Sequence, residues 1–210
     1  MKKIITVILA FCIVAFLTSC HNENNPKQGQ AGQETEAVQA DDGQTGDVKT
    51  EGSDAKALVV YFSCTGHTKT IAGYIAEATG ADVFEVVPKE PYNSEDLNYN
   101  DKSSRSSKEM NDSAARPEIS DNVENFRQYE KIYLGYPIWW GEAPRILSTF
   151  VESYDFSGKT VIPFCTSGSS GVGSSAKNLE ELAGGGNWLE GKRFSSSEDA
   201  DKVSEWLNNL

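Results

Sequence analysis

Short apolar segments alternate with segments of helical periodicity along residues 56–210. The apolar segments are almost continuously hydrophobic, as expected of strands that are buried on both faces of a sheet. Five strands are predicted, at residues 56–63, 82–87, 131–138, 160–165 and 188–194. Helices are predicted at residues 68–79, 122–129, 176–183 and 198–210, and directly after Pro144. The alternation predicts an α/β domain in which a parallel sheet carries helices on both faces.

The most common arrangement of five such strands has the order 2-1-3-4-5. Ligands of this arrangement bind in a crevice beyond the carboxyl ends of the first and third strands, where the strand order reverses. The loops that follow these two strands should therefore differ chemically from ordinary turns. Both do, and the loop after the fourth strand is unusual as well.

The first strand runs into a loop of small and hydroxyl side chains, within the sequence VVYFSCTGHTK at residues 59–69. A loop that enters a helix exposes unpaired backbone N–H groups and the positive end of the helix dipole. With hydroxyl donors and a glycine added, the loop suits a phosphate monoester that is held without a metal ion. The alternative is an ordinary helix cap with incidental hydroxyl groups. The candidate binding residues are Ser63, Cys64, Thr65, Gly66, His67 and Thr68.

The third strand ends in two adjacent tryptophans, within the sequence GYPIWWGEAP at residues 135–144. Neighbouring residues of a strand point to opposite faces, so the two indole rings should have different environments. A large ring at the mouth of a crevice is a stacking surface for a flat aromatic ligand. The alternative is that the tryptophans belong to the core. The candidate residues are Pro137, Ile138, Trp139, Trp140 and Gly141.

The fourth strand is followed by the sequence TSGSSGVGSS at residues 166–175, which is flexible and rich in hydrogen-bond donors. Such a loop can follow the polar edge of a ligand, and its candidate residues are Thr166, Ser167, Gly168, Ser169 and Gly173. A competing interpretation is a dinucleotide fingerprint, because GVGSSA at residues 171–176 fits the pattern GxGxxA. The acidic partner of that fingerprint should end the next strand, whereas Glu190 lies near the start of that strand.

Residues 88–120 do not fit the alternation, because they are too many for an ordinary connection and too polar for a core helix. Tyr92, Tyr99 and Arg105 stand out among them. The segment is interpreted as an ordered excursion near the site, with a flexible surface loop as the alternative. Cys64 and Cys165 each lie at or just beyond the end of a predicted strand, so a disulfide between them is possible.

The N-terminal part of the chain predicts export. Residues 1–19 combine two lysines with an apolar run that is too short for a comfortable membrane span, which is typical of a signal peptide. They lead into LTSC, which resembles a bacterial lipobox, and this resemblance implies cleavage before Cys20 and lipidation of its thiol. An ordinary signal peptide with an incidental cysteine is the alternative. Residues 21–55 contain no aromatic side chain and should form a disordered acidic linker.

Size and charge limit the function of residues 56–210. They form 155 residues, the size of one ordinary domain, and carry 23 acidic and 15 basic side chains. The resulting net charge of −8 argues against nucleic acid, whose binding requires clustered cations. An acidic surface instead favours a protein partner with a basic docking patch. The sequence has no CxxC, HExxH or paired-histidine spacing, so no metal site is predicted.

Residues 59–75 resemble the signature of the flavodoxin family. The matching positions are Tyr61, Ser63, Gly66, Thr68, Ala72 and Ile75, which follow two apolar residues. The tryptophan loop and the Ser/Gly-rich loop are similar to the other two flavin-binding loops of the family. The resemblance implies a flavodoxin-like three-layer sandwich with non-covalent FMN. It places the phosphate in the loop at residues 63–68, and the flavin ring between the loops at residues 137–141 and 166–173.

The resemblance implies that the flavin performs the redox chemistry, so no catalytic residue is assigned. The expected function is FMN-dependent electron transfer by an extracytoplasmic protein that is lipid-anchored to a bacterial membrane. The alternative is an FMN-dependent NAD(P)H reductase of quinones or other small acceptors. A third possibility is a binding module that has lost its cofactor. Residues 88–120 and the export signal depart from a minimal cytoplasmic flavodoxin and leave the usual partners open.

Overall fold

The structure is a computed structural model that describes residues 56–210. The predicted signal peptide at residues 1–19, the predicted lipidation site Cys20 and the predicted linker at residues 21–55 lie outside the described residues. No helix within the described range is long and apolar enough to cross a membrane. The same range contains no cluster of three or more His, Cys, Asp or Glu side chains that could hold a metal ion.

Strands and helices alternate as the sequence predicts, with short interruptions. The strands are β1 (Ala57–Tyr61), β2 (Asp82–Glu85), β3 (Lys131–Pro137), β4 (Thr160–Thr166), β5 (Asn187–Trp188) and β6 (Lys192–Phe194). The helices are α1 (His67–Thr79), α2 (Arg105–Asn111), α3 (Arg145–Glu152), α4 (Ser175–Ala183) and α5 (Ala200–Leu207).

The strands form one parallel sheet in the order β2-β1-β3-β4-β5, which confirms the predicted order 2-1-3-4-5. β1 and β3 lie side by side at the centre, with Tyr61 opposite Gly135 at their carboxyl ends. The order reverses at this pair, because β1 is followed along the chain by β2 on its other side. The switch point of the sheet therefore lies where the first and second candidate loops leave the sheet.

The predicted fifth strand is divided into β5 and β6, which both pair with β4. Val161 pairs with Trp188, whereas Phe164 pairs with Lys192, so three steps along β4 correspond to four steps along the edge. One extra residue on the edge strand is what defines a β-bulge, which interrupts the pairing and shifts the register beyond it.

Both faces of the sheet are covered, because successive residues of the central strands point in opposite directions. On one face, Leu58 and Val60 belong to a buried cluster with the apolar sides of α3 and α4. On the other face, Val59 and Tyr61 pack with side chains of α1 and α5. Burial of each large apolar side chain stabilises the fold by about 1.5–3 kcal/mol. The predicted three-layer arrangement is confirmed.

The predicted helix at residues 122–129 is wrong. Only a short 3₁₀ turn, Phe126–Gln128, forms there. Asn125 precedes this turn with φ 50, a left-handed conformation that an α-helix cannot pass through. Phe126 and Tyr129 are nevertheless buried. The apolar spacing therefore predicted which side chains are buried, although it predicted the wrong secondary structure.

Residues 88–120 are ordered and contain helix α2. The two ends of the segment are joined by backbone hydrogen bonds, since the Lys89 N–H donates to the Glu118 carbonyl and the Ser120 N–H to the Val87 carbonyl, each at 2.9 Å. The segment thus leaves the sheet after β2 and returns to the same place. The structure agrees with the interpretation of this segment as an ordered excursion and disagrees with the alternative of a flexible surface loop.

Candidate functional site

A cavity of about 460 Å³ opens at the carboxyl ends of β1 and β3. In the described part of the chain, its lining consists of uncharged residues from three segments. These residues are Ser63, Cys64, Thr65, Thr68, Leu97, Tyr99, Ser106, Pro137, Ile138, Trp139 and Trp140. Hydroxyl groups lie toward the start of α1, and aromatic rings come from the loop after β3 and from the excursion.

The first loop presents unpaired donors at the start of α1. Gly66 is the N-cap residue and has φ 86, which glycine adopts without strain. No described side chain caps the first turn, and the first N–H groups of a helix have no partner within it. Ser63 instead accepts a hydrogen bond from the Gly66 N–H at 3.1 Å. The structure therefore disagrees with ordinary hydroxyl capping and leaves this helix end available to an anion.

Thr68 connects the first loop to the third. Its side chain is buried, and its Oγ1 lies 2.8 Å from Oγ1 of Thr166, the last residue of β4. The Ile138 N–H donates to the Thr166 carbonyl at 3.0 Å, which adds the second loop to the same junction. Thr166 thus joins the three loops just beneath the cavity, although it does not line it.

Trp140 and Gly141 form a two-residue turn. The N–H groups of Trp139 and Glu142 each donate to the carbonyl of the other, at 2.9 Å. Trp140 has φ 49 and Gly141 has φ 82, and positive φ at both central residues is the mark of a type I′ turn. A non-glycine side chain in this conformation costs about 1–2 kcal/mol. The turn holds the indole of Trp140 at the cavity, with 51% of the residue exposed.

Trp139 has a different environment from Trp140, as predicted, but the cause is the turn and not strand alternation, because β3 ends at Pro137. It is partly buried and packs edge-to-face against Phe62 and Tyr92, with centroid distances of 5.6 and 5.4 Å. Tyr92 in turn donates a hydrogen bond to the Glu109 carboxylate. The pKa of Tyr92 is raised above its ordinary value, mainly by desolvation and to a smaller extent by the hydrogen bond to this carboxylate. The aromatic cluster therefore fixes the inner wall of the cavity.

The turn is also attached to α4. The Glu142 carboxylate accepts hydrogen bonds from Ser174 Oγ at 2.9 Å and from Asn178 Nδ2 at 2.8 Å. Gly173 lies beside the turn, since a Cβ added to it would be 3.9 Å from the Gly141 carbonyl oxygen. The second and third loops are therefore neighbours, as the topology predicts.

The structure brings half of the predicted binding residues into the cavity wall. The predicted residues that line it are Ser63, Cys64, Thr65, Thr68, Pro137, Ile138, Trp139 and Trp140. The predicted residues that are not part of its lining are Gly66, His67, Gly141, Thr166, Ser167, Gly168, Ser169 and Gly173. The third loop contributes no residue to the lining, to which the excursion contributes Leu97, Tyr99 and Ser106. The placement of the flavin ring between the loops at residues 137–141 and 166–173 stays a prediction.

Leu97 and Ser106 line the cavity without having been predicted, and Tyr99 was noted without a place in the site. Ser106 is fixed by its own segment, because its N–H and its Oγ both donate to the Asp96 carbonyl, at 3.0 and 2.6 Å. Tyr99 is 73% exposed. Only the backbone path of the excursion brings these residues to the site, and no periodicity marks them.

Arg105 holds the excursion together through contacts with other residues of the same segment. Its Nε donates to Glu109 at 2.7 Å and its NH1 donates to the Glu90 carbonyl at 2.7 Å. Its guanidinium also lies over the ring of Tyr92, 4.1 Å from the centroid. Because Tyr92 packs against Trp139, these contacts hold the excursion and the tryptophan loop together.

Cys64 and Cys165 are both free thiols, so the possible disulfide is not formed in the structure. Cys64 is exposed at the cavity and Cys165 is buried in β4. Desolvation by surrounding atoms raises the pKa of each thiol to about 12. Since the thiolate is the reactive form, both groups are poor nucleophiles near neutral pH.

Cys165 should make the folded protein less stable at alkaline pH. Its pKa is about 12 when folded against 9.0 unperturbed, so the unfolded chain loses this proton first. The free energy of unfolding is unaffected by this thiol below about pH 9 and falls as the pH rises from there towards 12. At pH 10 the loss is about 1.4 kcal/mol. Urea unfolding at pH 8 and pH 10 should show a smaller decrease for Cys165→Ala than for the wild type, and equal decreases would contradict the assignment.

The topology, and the cavity at its switch point, define an α/β protein of flavodoxin-like fold. The chain belongs to the flavodoxin family, because a family model described as Flavodoxin matches residues 56–210. No curated protein matches the chain.

Solved structures agree with this assignment. A candidate flavoprotein from Bacteroides eggerthii is 44% identical, with a TM-score of 0.70 over 75% of this chain and 98% of that one. A second, from Bacteroides uniformis, is also 44% identical, with a TM-score of 0.70 over 73% of this chain and 98% of that one. A Lactobacillus acidophilus flavoprotein in complex with FMN is 24% identical, with a TM-score of 0.56 over 73% of this chain and 99% of that one.

Proposed function

We propose that this protein uses FMN for redox chemistry and acts as an electron carrier. The observation that carries the proposal is the cavity at the switch point, with free amide and hydroxyl donors at one end and indole rings at the other. Membership of the flavodoxin family supports FMN as the cofactor. The bound flavin would supply one- and two-electron transfer.

The residues at the cavity fit the two ends of FMN. A phosphate dianion would be held by the uncapped start of α1 and by the hydroxyl groups of Ser63, Thr65 and Thr68, without a metal ion. The flat ring would lie against Trp139 and Trp140, whose faces offer stacking surfaces. The chain orients the ring and excludes water from it, and these are the contributions that a protein makes to cofactor chemistry.

The net charge of −8 on residues 56–210 supports a carrier over an NAD(P)H reductase, because it attracts a basic redox protein and repels an anionic dinucleotide. Stopped-flow mixing of the FMN-loaded protein with NADPH separates the two functions. A carrier should remain oxidised on the timescale of turnover, whereas rapid bleaching with continued reduction of a quinone would favour the reductase.

Titration of the purified protein with FMN is the direct test of the cofactor. We expect one FMN per chain, with a shifted visible absorption spectrum and quenched tryptophan fluorescence as the rings approach Trp139 and Trp140. A colourless protein that leaves the FMN spectrum unchanged would instead support a fold that has lost its cofactor.

Replacement of Tyr99 tests whether the excursion is part of the cofactor site. Because Tyr99 is 73% exposed, Tyr99→Ala should change the free energy of unfolding by less than about 0.5 kcal/mol. Loss of its ring from the cavity wall should nevertheless weaken FMN binding about 10-fold. Tyr99→Phe keeps the ring and should bind like the wild type. Equal affinities for Tyr99→Ala and Tyr99→Phe would place the ring of FMN away from the excursion.

We further propose that the protein is an extracytoplasmic lipoprotein that exchanges electrons with a redox protein carrying a basic docking patch. The LTSC sequence before the predicted lipidation site at Cys20 supports the anchor, and the net charge of −8 on residues 56–210 supports the partner. Cell fractionation of the wild type and of Cys20→Ala tests the location. The anchor requires the wild type in the membrane fraction and the variant released from it.

A further inference from the structure

The third loop has little capacity to hold its own shape. Residues 166–175 consist of Gly, Ser, Thr and one Val, and glycine leaves the backbone free to adopt many conformations. Fixing the backbone of each of these residues in one conformation costs conformational entropy. A single conformation of this loop therefore requires contacts from elsewhere in the fold.

Arg193 supplies such contacts from the neighbouring strand β6. Its NH2 group donates to the carbonyl oxygens of Ser167 at 2.8 Å and Gly168 at 2.7 Å. Its Nε donates to Ser167 Oγ at 3.3 Å. The side chain is partly buried, and hydrogen bonds from a charged donor are about twice as strong as neutral ones.

The bulge in the edge strand determines that an arginine occupies this position. β4 pairs Val161 with Trp188, and the same register continued along β4 would place Lys192 opposite Cys165. The extra residue places Arg193 opposite Cys165 instead. A shift of one residue exchanges the two faces of a strand, so without the bulge the side chain of residue 193 would point away from its present side.

Ser167 is fully engaged by these contacts and by two others. Its N–H donates to the Phe194 carbonyl at 3.3 Å, and its hydroxyl donates to the Ser170 carbonyl. The hydroxyl of Ser167, which was predicted to bind the ligand, is therefore already used in hydrogen bonds that hold the loop. Thr166, directly before it, is hydrogen-bonded to Thr68 of the cavity wall, so the conformation of the loop is linked to the site.

We propose that Arg193 is a positioning residue for FMN binding, which rests on the proposed function. It lies behind the third loop and outside the cavity lining. By holding the carbonyls of Ser167 and Gly168, its guanidinium turns these acceptors away from the ligand. The Ser167 N–H is held by the Phe194 carbonyl, so the N–H groups that would face the polar edge of the flavin are those of Gly168 and the residues after it.

FMN titration of the full-length protein tests the proposal with three variants. Arg193→Gln and Arg193→Lys both lose the planar donor group that reaches two carbonyls, and each should weaken FMN binding about 10-fold at a temperature where it is folded. Lys192→Gln removes an equal charge from the adjacent exposed residue and should bind like the wild type. Wild-type affinity in Arg193→Lys would overturn the proposal, because charge alone would then suffice.

Hydrogen exchange on the cofactor-free protein separates this proposal from the proposed function. In Arg193→Gln, the amides of residues 167–174 should exchange about 10-fold faster, while those of β4 remain protected as in the wild type and in Lys192→Gln. Unchanged exchange in the loop would overturn the positioning role whether or not FMN binds. Failure of the wild type to bind FMN, with faster loop exchange in Arg193→Gln, would reject the proposed function and leave the clamp on the loop supported.

Discussion

Gly135→Ala is expected to lower the free energy of unfolding by about 3 kcal/mol, because the added methyl group overpacks the core. A Cβ at this position would lie 2.8 Å from Cε1 of Phe164 and closer still to two further ring carbons. Phe164 is fully buried and directly opposite Gly135 in the sheet, so neither strand can move aside cheaply. Urea unfolding measures the change.

Two further variants show whether the overlap is the cause. Gly73→Ala adds the same methyl group in α1, where nothing lies within 4 Å, and should stabilise the protein by about 0.5–1 kcal/mol. Phe164→Leu should partly rescue Gly135→Ala, so that the double variant is less destabilised than the sum of the single ones. A Gly135→Ala protein within about 1 kcal/mol of the wild type would contradict the packing described here.

The alternation of apolar strands and amphipathic helices was sufficient to predict the fold, because burial on both faces of a parallel sheet imposes an uninterrupted hydrophobic pattern. β1 and β3 show this directly, since nearly all of their residues are buried. Gly135 could have been recognised as a close approach, since a glycine inside a strand often marks one. Its partner Phe164 could not, because pairing across strands is set by register.

Features that depend on tertiary contacts escaped prediction. The left-handed Asn125 replaced a helix by a 3₁₀ turn although the apolar spacing was right. The bulge between β5 and β6 depends on pairing with β4, and the path of the excursion depends on contacts such as those of Arg105. None of these contacts leaves a periodic signal in the sequence.

The candidate site was predictable where short motifs act locally. The small residues after β1 and the tryptophans after β3 were identified because ligands of such sheets bind at the switch point, where these two loops leave the sheet. The contribution of Leu97 and Ser106, and the support of the third loop by Arg193, come from residues distant in sequence. The proposed cofactor agrees with the family to which the chain belongs.

Trp140→Asn should change cofactor binding and stability in opposite directions. Trp140 is the first central residue of a type I′ turn, where its φ of 49 is unfavourable for a bulky side chain. Asn followed by Gly is the preferred pair for this turn, so the cofactor-free variant should be about 0.5 kcal/mol more stable. Loss of the indole from the cavity should weaken FMN binding about 30-fold, the effect expected of a dominant aromatic contact of about 2 kcal/mol.

The matched control is Trp140→Phe, which keeps an aromatic face and the strained conformation together. It should retain FMN affinity within about 5-fold of the wild type and should gain no stability, because phenylalanine is no better suited than tryptophan to positive φ. Fluorescence titration with FMN and urea unfolding without it give the two quantities separately. Wild-type affinity in Trp140→Asn would mean that the exposed indole has no part in the site. A joint loss of stability and affinity would mean instead that the indole supports the turn, so that the conformational strain at residue 140 has been misjudged.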